Sequence, residues 1–262
     1  MFQRPALPIL RGMARRPEIV VCDTPEAASR LALAELERHL RGRSEGLVSF
    51  ATGSTFAAMF EMLNQRILAG ELPQERLFAT HLDEYLGFSP EDEGGMAREL
   101  FGRCPILRDR HRCGAFLLVP GSRDGIAGHE QAIAGAGGVA LQFLGIGRNG
   151  HLAFNEPGTP FDSGFHVAEL AETTREDARA RFAPRPVPRR AVTAGLGTIL
   201  AARRLVLCAF GAAKAPAVGS MIEGPVEVSC PASSIRLHEN ALVLLDREAA
   251  SGLAASSAVA HG

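Results

Sequence analysis

The chain alternates short, almost continuous apolar runs with longer segments in which apolar residues return every three or four positions. Runs such as EIVVC at 18–22 and VALQFLGIG at 139–147 are apolar on both faces, which is typical of strands buried inside a parallel sheet. The segments between them have the spacing of amphipathic helices. This alternation predicts an α/β fold with an open, mostly parallel sheet between helical layers. The sequence predicts five further strands, at 46–51, 76–82, 115–120, 204–210 and 241–246.

Capping residues and glycines mark where the helices are predicted to begin and end. Thr24 can cap a helix over 26–40, and Ser54 or Thr55 can open a second helix that closes at Gly70. The sequence predicts further helices near 95–103, 124–135, 174–182, 194–202 and 212–222.

No internal repeat and no linker divides the chain, so we expect one domain over 18–248. A disordered leader at 1–17 and a flexible tail at 249–262 are expected on either side of it. The proline-rich stretch at 183–190 predicts a segment that crosses the surface.

Charge and cysteine usage exclude several classes of function. With 28 basic and 29 acidic residues, the chain has a formal net charge of −1, unlike a general nucleic-acid-binding protein. No apolar run reaches the length of a membrane-spanning helix. The five cysteines form no CxxC pair, which favours reduced thiols in a cytoplasmic protein and no metal site.

Three unusual stretches follow predicted strands, at the carboxyl ends where open α/β sheets bind ligands. The first is ATGST at 51–55, where Gly53 lets a ligand approach the backbone and the hydroxyls of Ser54 and Thr55 add donors for an anion. A plain strand-to-helix turn with a hydroxyl cap is the alternative.

The second stretch, HLDEYLG, places Asp83 where a buried strand ends. An apolar background would raise the pKa of this carboxyl towards that of a useful general base. The alternative is that Asp83 caps the next helix while Glu84 and Tyr85 lie on the surface. The residues alone favour that second interpretation.

The third stretch, GIGRNGHLAFNEP, is the strongest candidate for a catalytic element. Its glycines permit a tight turn, and Asn149-Gly150 favours a positive φ, which would direct His151 into the cleft. An imidazole titrates near neutrality and can take and return a proton, and Glu156 can orient it. A structural histidine at the end of a strand is the alternative.

Two later cations are candidate phosphate partners, Arg181 and Lys214. Lys214 follows another glycine turn at a strand end, where its ammonium group can reach a phosphate as a point charge. Taken alone, each is better explained as a solvated surface charge.

Six stretches, in their order and spacing, resemble the glucosamine-6-phosphate deaminase (isomerase) family, to which the 6-phosphogluconolactonases are related. They are ATGST, LDEYLG, GIGRNGHLAFNEP, TTREDARARF, AVTAGLGTIL and FGAAKA, and the resemblance runs from about Val48 to about Asp246. GHxAFNEP is the most specific, because the lactonases share the glycine-histidine turn but usually continue without AFNE.

The resemblance implies a three-layer αβα fold of modified Rossmann type. It also implies that glucosamine 6-phosphate and water are converted to fructose 6-phosphate and ammonia, without a metal or an organic cofactor. The expected partner is therefore a small phosphorylated sugar, with no nucleic acid and no membrane. Because family members range from monomers to hexamers, a homo-oligomer is left open.

The resemblance also implies a role for each matching residue. Asp83 would move a proton between C2 and C1 through an enol-type intermediate. His151 would assist ring opening at the ring oxygen, supported by Glu156 and Asn149. The substrate phosphate would be held by Thr52, Gly53, Ser54, Thr55, Arg181 and Lys214.

Some residues depart from the family pattern. Many members carry aspartate where this chain has Asn149, and a neutral amide does not stabilise an imidazolium by charge, so we expect a lower pKa for His151. TTREDARARF contains an extra residue, so Arg179 competes with Arg181 for the phosphate role. The arginine and lysine of the family's effector site are missing around Phe165, which favours a non-allosteric or substrate-shifted member.

Two alternatives to a deaminase remain open from the sequence. A 6-phosphogluconolactonase would need His151 and the phosphate-binding residues but not Asp83. A catalytically weak sugar-phosphate-binding regulator would need only the binding residues. The sequence does not distinguish glucosamine from galactosamine substrates.

Overall fold

The computed structural model describes residues 15–42, 45–254 and 259–260, and it contains all seven predicted strands. The strands are β1 (Glu18–Cys22), β2 (Leu47–Phe50), β3 (Ala79–His81), β4 (Asp83–Tyr85), β5 (Phe116–Leu117), β6 (Val139–Leu144), β7 (His166–Glu169), β8 (Arg190–Thr193), β9 (Arg204–Ala209), β10 (Ala241–Asp246) and β11 (Val259–Ala260). Those that the sequence did not predict are β4, β7, β8 and β11.

The predicted helices are also present, together with α4, which the sequence did not predict. The helices are α1 (Pro25–Arg41), α2 (Ala57–Leu68), α3 (Met96–Arg103), α4 (Pro105–Arg112), α5 (Ile126–Gly135), α6 (Glu172–Phe182), α7 (Leu196–Leu200) and α8 (Ala215–Glu223).

Helix ends follow the predicted caps in one case and depart from them in another. The Oγ1 of Thr24 accepts from the N–H of Ala27 at 3.1 Å and caps α1. Ser54 and Thr55 do not cap α2 with their side chains: they begin a 3-10 turn, and α2 starts after it. Gly70 has a φ of +74° just beyond the end of α2, as expected of a C-terminal glycine.

The main sheet has the strand order β11-β1-β10-β9-β6-β2-β3-β5, and every neighbouring pair in it is parallel. Parallel neighbours need crossover connections, and the helices supply them. This confirms the prediction of a mostly parallel sheet.

Helices cover both faces of this sheet, because successive strand residues contribute to two different apolar clusters. Val206 packs in the cluster that contains residues of α1, α2, α3 and α4, whereas its neighbours Leu205 and Leu207 pack with α5, α7 and α8. The result is the expected three-layer αβα architecture.

A second, antiparallel sheet of three strands has the order β4-β8-β7. Together with α6 it encloses a third, smaller apolar cluster around Tyr85, Phe154 and Phe182. It therefore adds a separate layer beyond the carboxyl end of β3, where Leu82 alone separates β3 from β4.

The structure describes only part of the predicted leader and part of the predicted tail. Residues 1–14 of the predicted leader lie outside the described residues, as do 255–258 and 261–262 of the tail. Val259–Ala260 pairs with β1 in parallel. The division into leader, domain and tail stays a prediction. None of the helices in the described ranges is long and apolar enough to cross a membrane.

Candidate active site

Four neighbouring strands bring the predicted polar turns to one edge of the main sheet. β9, β6, β2 and β3 lie side by side and run parallel, so the residues that follow them share that edge. The chain leaves β2 towards β3 but leaves β6 towards β9, so the topological switch point lies between β2 and β6. Ligands of open α/β sheets bind at such a point. The turns at this edge are 51–55, 82–83, 145–151 and 210–214.

The turn after β6 is built so that an imidazole can lie against its backbone. A Cβ atom added to Gly147 would come within 2.2 Å of Cε1 of His151, so only glycine leaves room for the ring. Gly150 has a φ of +82°, as the Asn-Gly pair predicts. Ala153 has a φ of 52°, a left-handed conformation that is rare without glycine and often marks a functional segment.

Asn149 fixes the orientation and the tautomer of His151. Its Nδ2 donates to Oε2 of Glu156 at 2.8 Å, so its Oδ1 faces the ring, 2.7 Å from Nδ1. An amide oxygen only accepts, and therefore Nδ1 carries the proton. The other ring nitrogen, Nε2, is then a free base. This is the tautomer that a proton-accepting histidine needs.

The electrostatics around His151 keep the ring neutral. Burial lowers the pKa of His151, Lys214 lowers this pKa further, and the carboxylates of Glu156 and Asp177 oppose the shift. Nδ1 of His151 and Oε2 of Glu156 are 3.8 Å apart, beyond a direct hydrogen bond. The expectation that a neutral Asn149 lowers this pKa stays a prediction, because burial is the largest cause of the shift.

Helix α6 contributes two hydroxyls that the sequence did not predict. Oγ1 of Thr174 lies 3.3 Å from Nδ1 of His151, and Oγ1 of Thr173 accepts from Nδ2 of Asn149 at 3.4 Å. The N–H of Ala171, just before α6, donates to Oε1 of Glu156 at 3.1 Å. A threonine in a predicted helix does not by itself indicate that its hydroxyl contacts a distant histidine or asparagine.

Asp83 lies at the same edge as the His151 turn and is tied to it through β8. The N–H of Ala194 donates to the carbonyl of Leu82 at 2.8 Å, and Asn155 Nδ2 donates to the carbonyl of Ala194, also at 2.8 Å. Asp83 pairs with the residue before Ala194 in the antiparallel sheet. One backbone hydrogen bond and one from the side chain of Asn155 therefore join the start of β4 to the segment after His151.

The environment of Asp83 makes its carboxyl a candidate base near neutral pH. Only 7% of the residue is exposed. Burial raises the pKa of Asp83 to about 7, Glu84 adds to the rise, and the guanidinium of Arg181 opposes it. A carboxyl group with this pKa is ionised in a large fraction of molecules at neutral pH and holds a proton well.

The alternative that Glu84 and Tyr85 lie on the surface is wrong, because both residues are buried in β4. Glu84, rather than Asp83, caps the next helix: its carboxylate accepts from the N–H groups of Tyr85, Met96 and Ala97 at 2.8 to 3.0 Å. A carboxylate at the N-terminus of α3 also complements the helix dipole. This leaves the Asp83 side chain without a capping role.

Arg181 belongs to the surroundings of Asp83. Its Nη2 donates to the hydroxyl of Tyr85 at 2.7 Å, and its guanidinium lies 5.6 Å from the ring centroid of Phe182. Arg179 is exposed on α6. Of the two arginines that compete for the phosphate role, Arg181 is the one that faces the site.

The turn after β2 presents groups suited to an anion. Thr52 is buried, and its Oγ1 has no hydrogen-bond partner in the described part of the chain. Gly53 has nothing within 4 Å of an added Cβ, so a ligand can approach its backbone. Ser54 is exposed and Thr55 half-buried, at the start of the 3-10 turn.

Lys214 lies over the neighbouring turn rather than in bulk solvent. Its Nζ donates to the carbonyl of Ile146 at 2.7 Å, which joins the turn after β9 to the turn after β6. Burial lowers the pKa of Lys214, and Asp177 opposes this shift. The structure thus collects the predicted residues at one edge of the sheet, while their catalytic and binding roles stay predictions.

Comparison with known proteins identifies the family. Residues 23–244 match the model for glucosamine-6-phosphate isomerases/6-phosphogluconolactonase. The chain belongs to this family. It is 38% identical over 243 residues to the glucosamine-6-phosphate deaminase of Hahella chejuensis, with 90% of this chain and 91% of that protein covered.

Solved structures of the glucosamine-6-phosphate isomerase/6-phosphogluconolactonase family share the fold. A monomeric glucosamine-6-phosphate deaminase superposes with a TM-score of 0.82 at 33% identity, covering 90% of this chain and 100% of that one. A 6-phosphogluconolactonase from Trypanosoma cruzi has a TM-score of 0.72 at 20% identity, covering 93% and 99%, which shows a common fold alone.

Proposed function

We propose that the protein is an amino-sugar-phosphate deaminase/isomerase that converts glucosamine 6-phosphate and water to fructose 6-phosphate and ammonia. The observation that carries the proposal is a pair of groups at one sheet edge with complementary properties. The pKa of the buried Asp83 is raised to about 7, and His151 is held as a neutral imidazole with a free Nε2. An aldose–ketose isomerisation needs one carboxylate over C2 and a separate acid/base at the ring oxygen.

The reaction uses the two groups in succession. Nε2 of His151 takes the proton of the C1 hydroxyl and passes it to the ring oxygen as the bond between C1 and that oxygen breaks, while Nδ1 stays bonded to Asn149. The carboxylate of Asp83 then removes the proton on C2 of the open-chain aldehyde, and the electron pair moves through C1 onto the carbonyl oxygen, which takes up a proton from solvent to give an enol. Return of the C2 proton from Asp83 to C1, with loss of an N–H proton to solvent, leaves an imine at C2. Addition of water to C2 and departure of ammonia give the ketose.

Binding energy comes from the phosphate, which does not react. Backbone N–H groups after β2 and the ammonium group of Lys214 are suited to an anion, as is the Oγ1 of Thr52, which has no partner among the described residues. Ser54 and Thr55 add hydroxyl donors, and Arg181 adds a cation on the side of Asp83. Such remote binding holds C2 over the carboxylate.

Ammonia release and ketose formation test the function on a panel of phosphorylated amino sugars, with 6-phosphogluconolactone in the same panel. We expect Asp83→Asn to abolish ammonia release, and Lys214→Ala mainly to raise KM. Near-normal kcat in Asp83→Asn would refute the assignment of the base. Hydrolysis of the lactone without ammonia release from any amino sugar would replace the proposed activity.

The stability of Asp83→Asn is the control that separates a loss of catalysis from a loss of folding. The folded pKa of Asp83 lies above the unfolded value of 3.8, so its contribution to stability is full below pH 3.8 and is lost as the pH rises through 7. At pH 8 the asparagine variant should therefore be more stable than the wild type, by up to about 4 kcal/mol. A stable, inactive variant cannot owe its inactivity to unfolding.

We further propose that the protein acts in the cytoplasm, which is supported by five free cysteines and by a soluble sugar phosphate as the substrate. A homo-oligomer is the alternative to the monomeric state of one solved deaminase relative. Light scattering of the purified protein measures the oligomeric state directly.

A further inference from the structure

One face of α6 contacts the two parts of the active site. Thr174, Asp177 and Arg181 follow one another at spacings of three and four residues, which places them on the same side of the helix. Thr174 contacts His151, and Arg181 contacts Tyr85 in the strand that carries Asp83. α6 thus connects the imidazole to the strand that carries the carboxyl.

The hydroxyl of Thr174 lies within hydrogen-bond distance of the imidazole of His151. The residue is 7% exposed, and its Oγ1 lies 3.3 Å from Nδ1 of His151. The other side-chain oxygen within hydrogen-bond distance of Nδ1 is Oδ1 of Asn149, at 2.7 Å. Both oxygens are neutral, so neither supplies a charge when the ring accepts a proton at Nε2.

Asp177 adds a carboxylate one turn further along α6. Its Oδ1 and Oδ2 bind Nη2 and Nε of Arg148, at 2.5 and 3.2 Å, in a two-point contact. Arg148 directly precedes Asn149, so the pair fastens α6 to the catalytic turn. The charged groups that act on His151 are Glu156, Lys214 and Asp177, and the two carboxylates both favour the imidazolium form.

We propose that Thr174 and Asp177 are positioning residues for His151: Thr174 supplies from α6 a second hydrogen-bond partner for Nδ1, and Asp177 adds a second carboxylate to that of Glu156. Thr174 keeps the Nδ1 proton directed away from the substrate, so that Nε2 faces the ring oxygen. Asp177, anchored by Arg148, offsets the positive charge that forms on the ring during ring opening. The catalytic consequence rests on the proposed deaminase activity, whereas the effect on the imidazole itself does not.

The first test compares Thr174→Val with Thr174→Ser in steady-state kinetics. Valine keeps the shape of the side chain but removes the hydroxyl, so kcat should fall about tenfold while KM changes little. Serine restores the hydroxyl and should recover most of kcat. Thr198→Val, the same substitution on α7, is the matched control and should leave kcat unchanged. An unchanged kcat in Thr174→Val, or an equal loss in Thr174→Ser, would overturn the proposal.

The second test follows the imidazole without any substrate. In protein labelled with ¹⁵N-histidine, the resonance that disappears in His151→Gln belongs to His151, and its titration gives the pKa of the ring. This pKa should fall in Thr174→Val and in Asp177→Asn, because each loses an interaction that favours the protonated ring. Asp109→Asn, which breaks a surface ion pair with Arg112 on α4, should leave it unchanged. Coincident titrations of Thr174→Val, Asp177→Asn and the wild type would refute the proposal.

The two tests separate the two proposals. If the wild type releases no ammonia from any amino-sugar phosphate but the His151 titration shifts as expected, the deaminase function fails and the role of α6 stands. If ammonia is released and the His151 titration does not move in Asp177→Asn, the function stands and the role of Asp177 fails.

Discussion

The imidazole of His151 can occupy its observed position only because Gly147 has no side chain. A Cβ at this position would come within 2.2 to 2.5 Å of three ring atoms, and these are separations that no packed structure tolerates. We therefore expect Gly147→Ala to displace the ring from Asn149 and to lower kcat by about 100-fold or more. Ammonia release at saturating substrate measures this loss.

A second glycine-to-alanine change provides the control for this prediction. Gly219 lies in α8 with nothing within 4 Å of an added Cβ, so Gly219→Ala should leave kcat and the thermal midpoint close to those of the wild type. Far-ultraviolet circular dichroism checks that Gly147→Ala keeps its helices. A folded Gly147→Ala variant with wild-type kcat would show that the ring does not need its observed place.

Single residues also mark the limit of what the sequence predicts about the site. The contacts among Asn149, His151 and Glu156 follow from a short segment, and glycine chemistry predicts how it turns. Thr174 and Asp177 are distant in sequence from that segment, and a threonine or an aspartate on a polar helix face is ordinary. Only the folded arrangement brings them to the histidine.

Among the elements, α3 depends on a carboxylate from another element. Its N-terminus has no side-chain cap of its own, and Glu84 of β4 accepts from the N–H groups of Met96 and Ala97 instead. Glu84→Gln removes the charge and turns an amide group towards these donors. We expect a loss of about 2 kcal/mol in the free energy of unfolding, measured by urea denaturation.

The exposed Glu91, in the loop before α3, is the matched position for this change. Glu91→Gln should alter the free energy of unfolding by less than about 0.5 kcal/mol. Equal denaturation midpoints for Glu84→Gln and Glu91→Gln would mean that the cap contributes nothing to stability.

The elements also differ in how far the sequence predicts them. The seven predicted strands of the main sheet are nearly continuous apolar runs, because both faces of the sheet are covered by helices. β4, β7 and β8 are three or four residues long and carry polar residues such as Asp83, His166 and Arg190. Their strand conformation comes from pairing with strands that are distant in the sequence, and no local sequence pattern predicts such pairing. α4 is missed because its eight residues contain four arginines and histidines but only two buried apolar side chains.

At the scale of the whole molecule, the small antiparallel sheet explains how a distant acid and imidazole meet. The parallel sheet alone places Asp83 and His151 after two different strands, β3 and β6, with β2 between them. The small sheet connects them, because β8 pairs with β4 and its following residue, Ala194, accepts from the segment after His151. α6 packs on the same small cluster and contacts His151 and Tyr85, the latter in the strand that carries Asp83. The site therefore depends on a layer that the sequence did not predict.

The stability of the whole molecule should depend on buried histidines. Burial lowers the pKa of His81 to about 3 and that of His129 to about 4. Both folded values lie below the unfolded value of 6.5, so the unfolded chain binds more protons in acid. Their contribution to stability is therefore full above pH 6.5 and is lost as the pH falls towards 4 and 3.

His129→Leu tests this dependence, because leucine can keep the packing against Phe165 and does not titrate. Nε2 of His129 has no hydrogen-bond partner in the described residues, so the substitution removes no bond made by that atom. At pH 7.5 the histidine is neutral in both states, and this condition gives the reference difference in Tm between variant and wild type. At pH 5 the difference should move in favour of the variant by about 2 kcal/mol, or on the order of 5 °C. Parallel Tm profiles for the two proteins between pH 7.5 and 5 would show that protonation of His129 does not limit stability in acid.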